Sequence, residues 1–241
     1  MNTIHHFGDS YASLLWNKKA NHEVKNFVEI ISNEINYKYV NQACGGESNE
    51  MILNRLINHL NNFKSGDILF INFSYFSRGC WYDITDEKIK STNELYDELN
   101  NFKQYYFTKN KHVIDLVEYY LNNRIDYNNR VFKLIDSVLK NIQSKGVKIF
   151  YIFVEITKWS DSLIDIGTPI EFTTGFANFL RHNDFHKEEE GHYTQGIQPM
   201  LSNAILKKTN YLNIDNKNAF VDINDMNFDL KLKKPKRKKL L

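Results

Sequence analysis

Apolar residues along this chain come in two arrangements, short continuous runs and stretches spaced three and four apart. The first reads as strands of a buried sheet and the second as amphipathic helices. Residues 4–7 (IHHF) give a first strand that Gly8 cuts off. Val24, Phe27, Val28, Ile31 and Ile35 then recur at helical spacing. Residues 38–41 are a short second strand, and residues 49–63 a helix with Ile52, Leu56, Leu60 and Phe63 inward. After a Gly66-Asp67 turn, residues 68–73 (ILFINF) form a nearly continuous apolar strand. A tyrosine-rich helical stretch covers residues 93–123. Val131, Leu134, Ile135, Val138, Leu139 and Ile142 make a further helical stripe that Gly146 ends. Residues 147–154 (VKIFYIFV) are the strongest strand; an irregular region follows, then a helix over residues 193–208. Strands and helices alternating in this order predict right-handed crossovers and a three-layer α/β/α sandwich around a parallel sheet of about five strands.

That architecture gives weight to the stretch HHFGDSYASL, residues 5–14. In parallel α/β sheets, sites gather at the carboxyl ends of the strands. Ser10 stands at such an end and opens a helix, whose free N–H groups favour a developing oxyanion. The plain alternative is a helix N-cap, which Asp9 or Ser10 would serve equally well. His5 and His6 read as structural filling, one pointing in and the other out.

A serine nucleophile needs a base, and the base needs an orienting acid. Asp184 and His186 lie two apart in RHNDFHKEEEGHYTQG, a polar loop before the last helix. Glu190 and His192 offer the same pairing shifted along the chain. His182, His186 and His192, with Asp184 or Glu188, also suggest metal ligands. The surrounding Lys/Glu-rich sequence makes a poor helix core and lacks HExxH, so no metal is expected. Asp161 and Asp165 read as solvated loop residues.

Three blocks now resemble one family in their order and spacing. FGDS ends at residue 10, NQACGGESN covers residues 41–49, and DFHKEEEGH covers residues 184–192. Together they resemble the SGNH (GDSL-type) hydrolase superfamily of esterases, lipases and carbohydrate deacetylases, over residues 4 to about 205. The resemblance implies a flavodoxin-like fold and a serine esterase that needs no cofactor. It implies Ser10 as nucleophile, His186 as base and Asp184 as its partner. It places the backbone N–H groups of Ser10 and Gly46 in an oxyanion hole, with Asn49 a substrate contact or a plain N-cap. Gly191-His192 matches a pair that often follows the catalytic histidine. The third block departs from the family: Phe76 falls where an oxyanion-hole Asn is expected, and Asn72 lies too early, inside the strand. Ser74 and Arg78 are the substitutes the sequence offers. Loss of one such donor can cost about 10²–10³ in rate.

Composition bounds the rest. The chain has 241 residues, 42% hydrophobic and 25% charged, with a net charge of +2. A sizeable core can form, and the near-neutral body implies no polyanion partner. Cys44 and Cys80 make no disulfide framework. No apolar run suits a membrane span and no secretory leader is visible, so a cytoplasmic location is expected. Residues 1–210 read as the hydrolase-like domain, with 93–123 a helical insertion or cap. Residues 211–241 form an extension ending in KLKKPKRKKLL, a solvated tail or a nucleic-acid or import contact. The expected substrate is a small-molecule or carbohydrate ester, such as an O-acetyl sugar. A non-catalytic module on the same fold and an acyltransferase with the same triad stay open.

Overall fold

Six strands, all parallel, order as β2-β1-β3-β6-β7-β8 among the described residues of the computed structural model. Those are residues 1–9, 25–75, 80–83, 88–91, 111–154, 166–172, 176, 179, 197–212, 219–222 and 225–226. The strands are β1 (Thr3–Gly8), β2 (Lys38–Asn41), β3 (Ile68–Phe73), β6 (Lys148–Phe153), β7 (Thr168–Phe172) and β8 (Ala219–Val221). A separate antiparallel ribbon pairs β4 (Cys80–Asp83) with β5 (Lys88–Ser91). The helices are α1 (Phe27–Glu34), α2 (Asn49–His59), α3 (Lys111–Ser144) and α4 (Ile197–Lys208).

The continuous apolar runs of β3 and β6 have the composition of strands covered on both faces. Alternation along each strand divides the core in two. Ile4, Phe70, Ile152 and Ile170 face one way, against Phe27 and Ile31 of α1 and Leu201 and Ile205 of α4. Phe7, Ile71, Tyr151 and Phe153 face the other, against Ile52 and Leu56 of α2 and Ile135 and Leu139 of α3. The register sets Phe70 opposite Phe150, with stacked rings 5.1 Å apart. The result is the three-layer α/β/α sandwich expected from the sequence.

Local chemistry starts the helices where they start. Asn26 caps α1, its side chain accepting from the Val28 N–H at 2.8 Å, and Ser48 caps α2 by accepting from the Met51 N–H at 3.3 Å. α2 ends at His59 and passes into a 3₁₀ turn over Leu60–Asn62, short of the helix end expected near residue 63. α3 runs unbroken through residues 111–144, where two separate helical stretches are expected. Leu134 belongs to the predicted apolar stripe yet is 57% exposed, because the buried face runs through Val131, Ile135, Leu139 and Ile142. At 34 residues, α3 is about 50 Å long, against about 20 Å for a six-residue strand. Its Phe132 touches Phe73 and Phe153, the last residues of β3 and β6, so α3 reaches the carboxyl edge of the sheet beyond its midpoint.

Two strands escaped the hydrophobic pattern. β7 carries Pro169 and β8 has three residues, so neither makes a long apolar run. β6 pairs with Thr168 and Pro169, and β8 pairs with Ile170 through Phe172, so the proline marks the changeover between neighbours. β8 adds an edge strand from residues read as an extension, and the sheet has six strands.

The reading of His5 and His6 needs correction: both are buried, since β1 lies mid-sheet with helices on each side. His6 Nε2–H donates to Asn72 Oδ1 at 2.9 Å, and its Nδ1 accepts from the Tyr39 hydroxyl at 3.0 Å, a bridge over β2, β1 and β3. On the other face, Asn62 donates to His59 Nδ1 (3.1 Å), His59 Nε2–H to His5 Nδ1 (3.0 Å), and His5 Nε2–H to Asp67 Oδ2 (3.3 Å). Asp67 also accepts from the Thr3 and Lys64 N–H groups, tying the amino edge together.

Burial pulls the His6 pKa down to about 4, against a smaller opposing effect of Asn72. Between pH 6.5 and 4 the unfolded chain therefore binds the proton that the native state refuses, so stability falls as pH falls. In urea titrations, the stability advantage of the native sequence over His6→Gln is expected to shrink by about 3 kcal/mol between pH 7.5 and 4. An advantage constant with pH would contradict a buried neutral imidazole.

Candidate functional site

In this strand order the chain leaves β1 toward β2 on one side and crosses back to β3 on the other. A crevice opens at such a reversal, above the carboxyl ends of the two strands. Gly8 and Asp9 end β1 there, and Ser74 follows β3. The loop after β2 is drawn to the same place: the Gln42 N–H donates to the His6 carbonyl (2.7 Å) and the Cys44 N–H to the Gly8 carbonyl (3.0 Å).

Of the residues singled out from sequence, Gly46, Asn49 and Ser74 are described and meet at this corner. Ser10, Arg78, Asp184 and His186 lie outside the described residues, as do Phe76, His182, Glu190 and His192. Gly46 has φ +80°, in the left-handed region that side chains disfavour, so the turn into α2 requires glycine here. Asn49 is 1% exposed, and both ends of its amide are engaged. Its Oδ1 accepts from the Ser74 N–H at 2.8 Å and its Nδ2 donates to the Ser74 carbonyl at 3.2 Å. Ser74 Oγ donates to Asp9 Oδ2 at 3.3 Å, deep in the protein. Asn49 and Ser74 thereby form a chain of contacts from the first turn of α2 to the end of β1.

Three features of the corner escaped the sequence. Asp9 was visible only as a capping residue, yet it is fully buried and accepts from Ser74. Glu47 is buried beside Gly46, with Oε1 paired to Nε and Nη2 of Arg55 on α2. Its affinity for a proton is raised, first by burial and also by the charge of Asp9, against the opposing pull of Arg55. Asn72, opposite Gly8 in register, holds His6 through its carbonyl, while its buried Nδ2 has no hydrogen-bond partner among the described residues. A two-residue offset could have flagged Asn72 with His6; nothing in the spacing of Glu47 and Arg55, eight residues apart, marks them as partners.

The corner brings together the left-handed Gly46 turn, the Asn49–Ser74 pair and the buried carboxyl groups of Asp9 and Glu47 at the carboxyl end of β1. No group of three or more His, Cys, Asp or Glu side chains that could hold a metal occurs among the described residues. No described helix is long and apolar enough to cross a membrane.

The Asn49 clamp gives a direct test. Asn49→Ala removes the Asn49 bonds to the buried Ser74 N–H and C=O, and each lost bond costs about 1–3 kcal/mol. Chemical denaturation of Asn49→Ala should show a loss of roughly 2–4 kcal/mol, with Asn49→Asp intermediate because it retains the acceptor for the Ser74 N–H.

No family model and no curated protein sequence matches this chain. Solved structures do. Protein YXIM of Bacillus subtilis superposes with a TM-score of 0.51 at 13% identity, over 89% of this chain and 57% of that one, so this chain spans little more than half its length. A member of the lipolytic protein G-D-S-L family from Veillonella parvula gives 0.44 at 13% identity, over 84% of this chain and 94% of that one. The psychrotrophic esterase EstA from a Pseudoalteromonas species, inhibited by monoethylphosphonate, gives 0.43 at 11% identity, over 84% and 93%. At these identities the comparison speaks to architecture: this chain shares the fold of the Bacillus subtilis protein, a three-layer α/β/α sandwich built on a parallel sheet.

Proposed function

We propose that this protein is a divergent SGNH-type serine esterase. One observation carries the reading: the Gly8-Asp9 end of β1, the left-handed Gly46 and the Ser74 end of β3 converge at the crevice of the sheet, immediately before Ser10. This is where a serine at a strand-to-helix seam is useful, and the sequence blocks that suggested the family supply the two ends of the corner.

In the proposed reaction, Ser10 Oγ attacks the ester carbonyl while His186 takes its proton, and Asp184 holds the imidazole and stabilises its charged form. The oxyanion is met by the backbone N–H groups of Ser10 and Gly46. His186 then protonates the leaving alcohol and afterwards activates the water that releases the acyl group. Asn49, Ser74 and Arg78 are the substrate-side residues the sequence suggests. With Asn49 and Ser74 engaged at the corner, either Arg78 serves in place of the Asn absent at Phe76 or the hole uses only the backbone N–H groups of Ser10 and Gly46. A small acyl group, such as an O-acetyl on a carbohydrate, suits the resemblance. The absent Asn also favours a second reading, a non-catalytic module on the same fold.

A serine-reactive fluorophosphonate probe separates the two. An esterase labels at Ser10, Ser10→Ala abolishes labelling, and turnover of p-nitrophenyl acetate drops by at least about 10³-fold with the fold intact. Labelling lost in His186→Ala and kept in His192→Ala assigns the base. Folded protein that never labels would identify the non-catalytic module.

A further inference from the structure

The Gly46 turn is gripped from both sides. Toward β1, the Cys44 N–H donates to the Gly8 carbonyl at 3.0 Å. Toward α2, Glu47 follows Gly46 directly, and its Oε1 accepts from Nε of Arg55 at 3.1 Å and from Nη2 as well. Glu47 is 2% exposed, and no donor reaches its Oε2 among the described residues. Among those residues, Arg55 is therefore the group that compensates a buried charge. The start of α2 does not need Glu47, because Ser48 supplies the cap to the Met51 N–H. A carboxylate here could turn to the free N–H groups of the helix. Glu47 reaches instead along α2 to a side chain eight residues away. Between the two anchors stands Gly46 at φ +80°. Glycine enters either half of backbone space at little cost, so this turn needs outside anchors to keep one conformation.

We propose that Glu47 and Arg55 are positioning residues that hold the Gly46 turn over the end of β1. In the esterase reading this turn presents the Gly46 N–H to the oxyanion, so the effect on turnover rests on that reading; the hold on the turn does not. An oxyanion donor acts in the transition state, so a turn that drifts lowers kcat and leaves KM nearly unchanged. Burial first, and the charge of Asp9 after it, raise the proton affinity of Glu47, and Arg55 opposes them. Without Arg55 the buried carboxyl stays in place at low pH as the neutral acid. At high pH it is charged and unpaired, and it leaves for water and draws Gly46 with it.

The Arg55 side chain is 39% exposed, so its replacement disturbs little of the core. In Arg55→Met, kcat for p-nitrophenyl acetate is expected to fall about 10–100-fold with KM within about twofold, less than the full loss of an oxyanion donor. The ratio of variant to native kcat should fall further as pH rises. Arg55→Lys restores a cation and should recover most of kcat. The double variant Glu47→Gln/Arg55→Met has no charge to bury, and its ratio should stay constant with pH. In amide NMR, the Gly46 resonance should move in Arg55→Met and return in Arg55→Lys. An unmoved Gly46 amide in Arg55→Met overturns the positioning role, as does a native kcat or a pH-independent ratio for that variant in an active esterase. If Arg55→Met does not fold, Glu47→Asp carries the test: it keeps the charge but is one methylene shorter, so the Gly46 amide and kcat should both move, and unmoved values overturn the role. A Gly46 amide that responds as expected in a chain without turnover would sink the esterase reading alone and leave the hold on the turn standing.

Discussion

A parallel sheet covered by helices on both faces removes water from nearly every side chain of its central strands, and the rest of this structure answers to that constraint. Apolar residues there need only to pack, as Phe70 does on Phe150 and Phe73 on Phe153. Polar residues need partners, and the nearest lie on adjacent strands. His6 finds Asn72 and Tyr39, and His5 finds Asp67 and His59. The His6 bonds cross from strand to strand, so they also resist slippage of register, which would part both at once. The histidines are held neutral by burial, which exchanges tolerance of acid for a tightly specified sheet centre.

At the carboxyl edge the same constraint meets a different need. The chain leaves the ladders of β1, β2 and β3 there, and buried polar groups such as those of Asn49 and Ser74 need partners from within the protein. Asn49 supplies both a donor and an acceptor to Ser74, and Ser74 passes a donor to Asp9. Gly46 takes the one backbone conformation that brings the loop after β2 back over β1. A corner built this way is stiff because each group serves as partner to the next. Its unsatisfied atoms are correspondingly informative: Glu47 Oε2 and Asn72 Nδ2 are the two buried side-chain atoms without a hydrogen-bond partner among the described residues, and both lie near the crevice.

Much of the fold was legible because sheet burial leaves a one-dimensional trace. The continuous apolar runs at residues 68–73 and 147–154 and the three-to-four spacing of α1 and α2 each reflect a local face. β7 and β8 were hidden because a short strand with a proline, and another of three residues, take their identity from the partners that flank them. Leu134 was misplaced for a related reason: helical spacing defines a stripe, but only the packed sheet decides how wide the buried face is. The candidate site divides in the same way. Gly46 and Asn49 belong to a local motif and were found. Glu47, Arg55 and Asp9 are separated in sequence and become a group only when α2 folds against the end of β1.

By itself the sequence determined the layer architecture, the succession of the main strands along the chain and the glycines at the turns, but not the caps of α1 and α2, which are Asn26 and Ser48. What it determined depends on properties of neighbouring residues: periodicity and backbone freedom. Tertiary structure alone decided that both histidines of β1 are buried, that Asn49 spends its whole amide on Ser74, and that two carboxyl groups share one dry corner. Those outcomes depend on which distant groups are near enough to displace water, and that is settled only when the sheet closes between its two helical layers.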